Sequence, residues 1–119
     1  MSQGATVLVV DDDEDTVETM REILEEEGHV VLSATNGREA LALTQRARPD
    51  LVLLDLNMPE MDGRAFLSAV RDDPDLTDVR VVVLSGASDV RDVPAESITK
   101  PLRLDTLLGL LRRAESAVP

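Results

Sequence analysis

Leu51–Gly63, LVLLDLNMPEMDG, is the stretch from which the fold of this chain can be read. Four aliphatic residues, Leu51 to Leu54, run without interruption into Asp55. A short apolar run bounded by turn residues reads as a strand buried on both faces of a parallel sheet. Pro49 and Asp50 precede the run, and Asn57, Pro59 and Gly63 follow it. Asp55 therefore stands at the carboxyl end of a central strand, where open α/β sheets place their ligands. A buried carboxylate at that position requires a cation or a hydrogen-bond donor.

Working outward, Thr6–Val10 (TVLVV) is a second buried strand, ending at Asp11-Asp12-Asp13. A helix follows over Asp15–Glu27, with Val17, Met20 and Leu24 as its apolar stripe and Ile23 beside it. Asp13 and Asp15 read as capping acids, and Gly28 as the residue that ends the helix. His29, the one histidine, reads as a partly exposed residue at a strand start. Val30–Ala34 is a short strand. Asn36-Gly37-Arg38-Glu39 resembles a capping box opening a helix through Ala47, with Ala40, Leu43, Thr44 and Ala47 turned inward and Pro49 ending the unit.

Beyond the central stretch, a helix from about Gly63 to Arg71 buries Phe66, Leu67 and Val70, and Asp72–Asp75 is an acidic turn. Arg80–Leu84 (RVVVL) is a fourth strand, ending at Ser85. Ser97–Thr99 is a short fifth strand closed by Lys100-Pro101. A last helix covers Leu104–Ala114, with Leu104, Leu107, Leu108 and Leu111 at helical spacing. Strands alternate with helices throughout, which predicts a doubly wound α/β domain with a parallel sheet and helices on both faces. No repeat or linker divides the chain, so one domain fills residues 1–119, with its core over about 5–114.

The composition agrees. A chain of 119 residues with 43% apolar content suits one core, and a single aromatic, Phe66, makes that core aliphatic. No apolar run reaches the ~18 residues of a membrane span. The start lacks a basic n-region, so no signal peptide is expected and the expected location is cytoplasmic. With no cysteine there is no disulfide. A formal net charge of −12 argues against direct contact with nucleic acid or with anionic lipid.

In a parallel sheet the carboxyl ends of the strands meet on one edge. That edge collects Asp11 and Asp12, Asp55, Ser85 and Lys100. Carboxylates crowded together repel one another, and a hard divalent cation removes the conflict. Oxygen-only ligands with open water positions suit Mg²⁺. Asp12 and Asp55 are the candidate carboxylate ligands, with the backbone carbonyl of Asn57 as a third. Lys100 is a mobile point charge suited to a phosphoryl oxygen, and Ser85 offers it a hydroxyl donor. A carboxylate can act as the nucleophile in phosphoryl transfer, giving an acyl phosphate.

VLVVDD at 7–12, LLDLNMPEMDG at 53–63, LSG at 84–86 and KP at 100–101, in that order, resemble the receiver domain of two-component response regulators of the chemotaxis-regulator type. The resemblance covers nearly the whole chain. It implies a flavodoxin-like sheet of five parallel strands in the order 2-1-3-4-5. It implies that Asp55 is the phosphoacceptor and that Asp11 and Asp12 are the acidic pair, with Asp12 directly on Mg²⁺. It makes Ser85 the hydroxyl residue and Lys100 the phosphate partner, with a cis bond expected at Lys100-Pro101. A partner histidine kinase or histidine phosphotransfer protein would supply the phosphoryl group, and a downstream protein would read the result. The chain would then be a signalling phosphoacceptor that catalyses at most its own phosphorylation from small donors and its own slow dephosphorylation.

Two features depart from that family. Eleven residues, Gly86–Glu96, separate the fourth and fifth strands, and Pro94 is among them. A parallel crossover needs about a dozen residues, so the fourth helix is expected to be shortened or missing. Ser97 stands where relatives commonly carry an aromatic that reports the switch. Signalling would then run through a two-state loop at 86–96. Leu110, at the edge of the last helix's stripe, either joins a partner or homodimer contact or is one scattered exposed leucine. Other readings remain. A pseudo-receiver would keep the fold and bind without phosphorylation. A haloacid-dehalogenase-type phosphatase would want a second aspartate where Asn57 stands. A flavin module would want a glycine-rich loop where Asp11–Asp13 stands.

Overall fold

The computed structural model of the chain describes residues 4–55, 63–85, 96–99 and 109, with positions 85 and 96–99 as backbone. The central element is β3 (Leu51–Asp55), which is buried along its whole length. It lies between β1 (Thr6–Val10) and β4 (Arg80–Ser85). β2 (Val30–Ala34) flanks β1 and β5 (Glu96–Thr99) flanks β4. All four pairings are parallel, and the sheet runs β2-β1-β3-β4-β5, the doubly wound, flavodoxin-like order expected.

Strand side chains alternate between two faces, and here both faces are apolar. Val7, Val9, Leu51, Leu53, Val82 and Leu84 pack with Val17, Met20 and Leu24 of α1 (Glu14–Glu26). Leu8, Val10, Val52, Leu54 and Val83 pack on the opposite face with Ala40 of α2 (Gly37–Ala47) and with Phe66, Leu67 and Val70 of α3 (Gly63–Asp72). That two-sided burial is why the central strands read as unbroken aliphatic runs. Phe66, the chain's one aromatic, is fully buried.

α1 and α2 each have a local reason to begin and end where they do. Asp13 is the N-cap of α1: Oδ1 accepts from the Asp15 amide at 3.1 Å and Oδ2 from the Thr16 hydroxyl at 2.9 Å. Asp15, expected as a second cap, lies inside the first turn and contributes its charge there. Gly28 follows the helix with φ of +90°, a conformation costly for a residue with a Cβ. Asn36 caps α2 by accepting from the Glu39 amide at 2.8 Å, while the Glu39 carboxylate reaches back to the Thr35 amide at 2.9 Å. The box thus closes one residue earlier than its usual form. α2 ends with Arg48 in the left-handed region, its N–H donating to the Thr44 carbonyl.

Three expectations change. His29 is not a surface residue but 6% exposed, and its Nδ1 accepts the Ala5 amide at 2.9 Å. Its neighbour across space is 24 positions away in sequence, so no local pattern could reveal it. Ala47, in the last turn of α2, is exposed rather than inward. The acidic turn at 72–75 contains a 3-10 turn, Pro74–Leu76, capped by Asp73 and burying Leu76.

At the amino end of the sheet, Asp50 joins three strands. Its amide donates to the Thr6 carbonyl at 2.9 Å, its Oδ2 accepts the Thr6 amide at 2.8 Å, and its carbonyl accepts the Arg80 amide at 3.3 Å. The segment 86–95, Lys100-Pro101 and its expected cis bond, and the last helix with Leu110 lie outside the described residues. The fourth helix expected to be short lies there as well.

Candidate metal and phosphoacceptor site

Register brings the acidic residues together. β1 and β3 pair with Val10 opposite Leu54, so the next residues, Asp11 and Asp55, leave the two neighbouring strands at the same level. Parity aims them to one side. Val7 and Val9 in β1, and Leu51 and Leu53 in β3, face α1, and alternation carries Asp11 and Asp55 to that same side. Asp12, one residue on, lies past the strand where the chain turns into α1.

The outcome is a compact acidic cluster. Asp11, Asp12 and Asp55 each offer a carboxylate oxygen, and these atoms all lie within 4.8 Å of one another. Asp11 and Asp55 are each 6% exposed, whereas Asp12 is exposed. Asp11 is held from both ends. Its amide donates to the Ala34 carbonyl at 3.1 Å, and its Oδ1 accepts the Asp13 amide at 2.9 Å. Asp13, expected only as a helix cap, therefore also orients a member of the cluster through its backbone. The run of three aspartates at 11–13 was the available sign, since Asx residues bond to amides two positions on.

In their ionised forms, two carboxylates 4.8 Å apart repel by about 1 kcal/mol in water and about 3–4 kcal/mol at an effective dielectric near 20. The burial of two of the three puts the site toward the second limit. Octahedral Mg²⁺ holds oxygens at about 2.1 Å, which separates neighbouring ligand oxygens by about 3 Å and opposite ones by about 4.2 Å. The observed spacing is close enough that small side-chain rotations would bring all three onto one ion. The donor set is all oxygen, as a hard cation requires. Asp12, facing solvent, leaves room for the waters that Mg²⁺ retains.

The other expected residues are placed only in part. Asp55 is opposite Leu84, and Ser85, the last residue of β4, is opposite Thr99 of β5. The backbone of Ser85 and the residue before Lys100 thus reach the same sheet edge as Asp55. Asn57 and Lys100 themselves lie outside the described residues. Among the described residues, no helix is long and apolar enough to cross a membrane.

The chain is similar to known proteins over nearly its whole length. A family described as the response regulator receiver domain matches residues 7–112. An uncharacterized 14.6 kDa protein of Leptolyngbya boryana is 36% identical over 120 residues, covering 95% of this chain and 92% of that protein. The transcriptional regulatory protein PrrA of Mycobacterium tuberculosis is 38% identical over 130 residues, and the match covers 98% of this chain but 55% of that protein. The crystal structure of the chemotaxis response regulator CheY4 of Vibrio cholerae superposes with a TM-score of 0.83 at 33% identity, covering 94% of this chain and 99% of the other.

Proposed function

Since the chain belongs to the response regulator receiver-domain family, a signalling module rather than a classical enzyme, we propose that Asp55 is its phosphoacceptor and that Asp11, Asp12 and Asp55 hold Mg²⁺. The observation that carries this reading is the convergence of three carboxylates, two of them buried, at the carboxyl edge of the sheet. Asn57 would add its backbone carbonyl to the ion. When bound, the ion neutralises charge on the phosphoryl oxygens and on the carboxylates around them.

The residues divide the remaining work. An Asp55 oxygen bonds to phosphorus as the P–N bond of a partner's phosphohistidine breaks. The electron pair of that bond leaves with the imidazole, and Asp55 becomes an acyl phosphate. Asp11, tied to the Ala34 carbonyl and the Asp13 amide, keeps the acidic pair close to its working position. Lys100 pairs with a phosphoryl oxygen, and Ser85 donates its hydroxyl to another. Residues 86–95 follow Ser85 directly in sequence and lead into β5, so movement of Ser85 toward the phosphoryl group biases that segment and, through it, partner binding.

The partners on this reading are a histidine kinase or histidine phosphotransfer protein upstream and a protein target downstream. The setting is cytoplasmic. PrrA is named a transcriptional regulatory protein, and this chain spans about half its length. Any nucleic-acid contact in a comparable longer protein would fall outside a segment whose net charge is −12. The test is intact-mass spectrometry after incubation with acetyl phosphate and Mg²⁺, beside Asp55→Asn. One phosphoryl adduct on the wild type, absent without Mg²⁺ and absent in Asp55→Asn, is expected. An adduct that persists in Asp55→Asn would refute the assignment. Absence of any adduct, from acetyl phosphate and from a phosphohistidine donor alike, would refute phosphoacceptor chemistry altogether.

A further inference from the structure

β2 ends the sheet, so one side of it has no strand partner among the described residues. The direction of its backbone follows from its bonds. The Val30 amide donates to the Ala5 carbonyl, and the Ala34 carbonyl accepts the Asp11 amide. Residues 30, 32 and 34 therefore turn their N–H and C=O groups to β1, and residues 31 and 33 turn theirs to the open side. The strand itself is VVLSA, with no charge and no proline. Val30 is 58% exposed, the large hydrophobic residue most open to solvent among those described. An uncharged, β-branched edge with an exposed valine is the kind that pairs with another chain.

One side chain from another element stands across that edge. Arg21 of α1 donates from Nη1 to the Val31 carbonyl at 3.1 Å and from Nη2 to the Ser33 hydroxyl at 2.9 Å. The Val31 carbonyl is an outward acceptor that an added strand would need. Glu18 and Glu25 hold the guanidinium from either side, at 3.7 and 3.8 Å. Arg21 is only 28% exposed at its side chain, so it is packed into this position rather than free in solvent. We propose that Arg21 is the guard of the open sheet edge, and that without it β2 pairs antiparallel with β2 of a second copy of this chain.

A second copy is the occupant the strand itself favours. An antiparallel pair about a two-fold axis sets the same neutral residues against each other in both directions. Apart from the strand, each copy carries the net charge of −12, which opposes association until salt screens it. Arg21 and the net negative charge of the chain therefore guard the edge by two separate means, one local and one general.

The test uses the whole chain carrying Arg21→Met, which keeps an apolar stem on α1 but no donor. Sedimentation equilibrium at high salt, over rising protein concentration, is compared with the wild type and with Arg21→Met/Val30→Lys. Amide exchange at Val31 and Ser33 is followed in parallel. The expected result is a mass rising roughly twofold for Arg21→Met alone, as a two-fold pair requires, with the Val31 and Ser33 amides gaining protection as it rises. The added lysine, on an exposed position of the same edge, should return the mass to that of one chain. An Arg21→Met protein that stays monomeric, even if less stable, overturns the proposal. So does association that Val30→Lys leaves intact or that leaves both amides unprotected.

Discussion

A single side chain can be decisive where it closes a backbone bond far from its own place in the chain. His29 receives the Ala5 amide on Nδ1, so its other nitrogen carries the proton, and Ala5 is 1% exposed. Replacing His29 with alanine leaves that N–H buried without an acceptor. The expected cost is about 1–3 kcal/mol, read as a lower urea midpoint with an unchanged slope. A midpoint equal to the wild type would show that water replaces the ring at no loss. Nothing in the residues beside His29 announces this role, because the amide it serves lies 24 positions earlier. The acidic residues at the strand ends were legible for the opposite reason. Asp11 and Asp55 each follow directly on an aliphatic run, so their depth in the sheet could be counted from their own neighbours.

Elements begin where a side chain can satisfy the amides that a helix leaves open. Asp13→Ala removes two acceptors from the first turn of α1 and should cost about 1 kcal/mol of stability. Asp13→Asn should lose only a few tenths, since it keeps the cap and gives up the charge near the helix start. Thermal or denaturant unfolding of the pair separates the two contributions; equal losses would mean that charge, not capping, is what Asp13 supplies. Most element limits could be read from such residues. β3 and β2 fall at the positions expected, and α1 is shifted by one residue. The failures have physical causes. Ala47 lies on the inward side of an ideal helix, but it is the last helical residue, directly before the left-handed Arg48, and spacing alone does not say how far the covered stripe extends. The guanidinium of Arg21 reads in sequence as one more surface charge, and only the third dimension puts β2 beneath it.

At the scale of the molecule, three carboxylates crowd one edge of the sheet among the described residues. With Asp11, Asp12 and Asp55 within 4.8 Å of one another, Mg²⁺ should stabilise the fold by binding the native state alone. At a hundredfold excess over its dissociation constant, the gain would be about 2.7 kcal/mol, or a rise in Tm of about 10 °C. KCl at equal ionic strength should give much less. Asp12→Ala should melt higher than the wild type without Mg²⁺, because a repelling charge is gone, and should respond weakly to the ion. Scanning calorimetry checks both statements. Equal Mg²⁺ responses in the two proteins would remove Asp12 from the ion's ligands.

The parity of β1 and β3 also has a consequence for how this chain can vary. Exchanging one aliphatic for another of like size within Val7–Val10 or Leu51–Leu54 costs less than about 1.5 kcal/mol and leaves both aspartates where they are. Losing or gaining one residue inside either strand turns the terminal aspartate to the opposite face of the sheet, away from its partner. The meeting of Asp11 with Asp55 is thus written as a number of residues more than as a choice among them. Mutation can exchange one aliphatic letter of these strands for another of like size, but an insertion or deletion of one codon within them erases the candidate site.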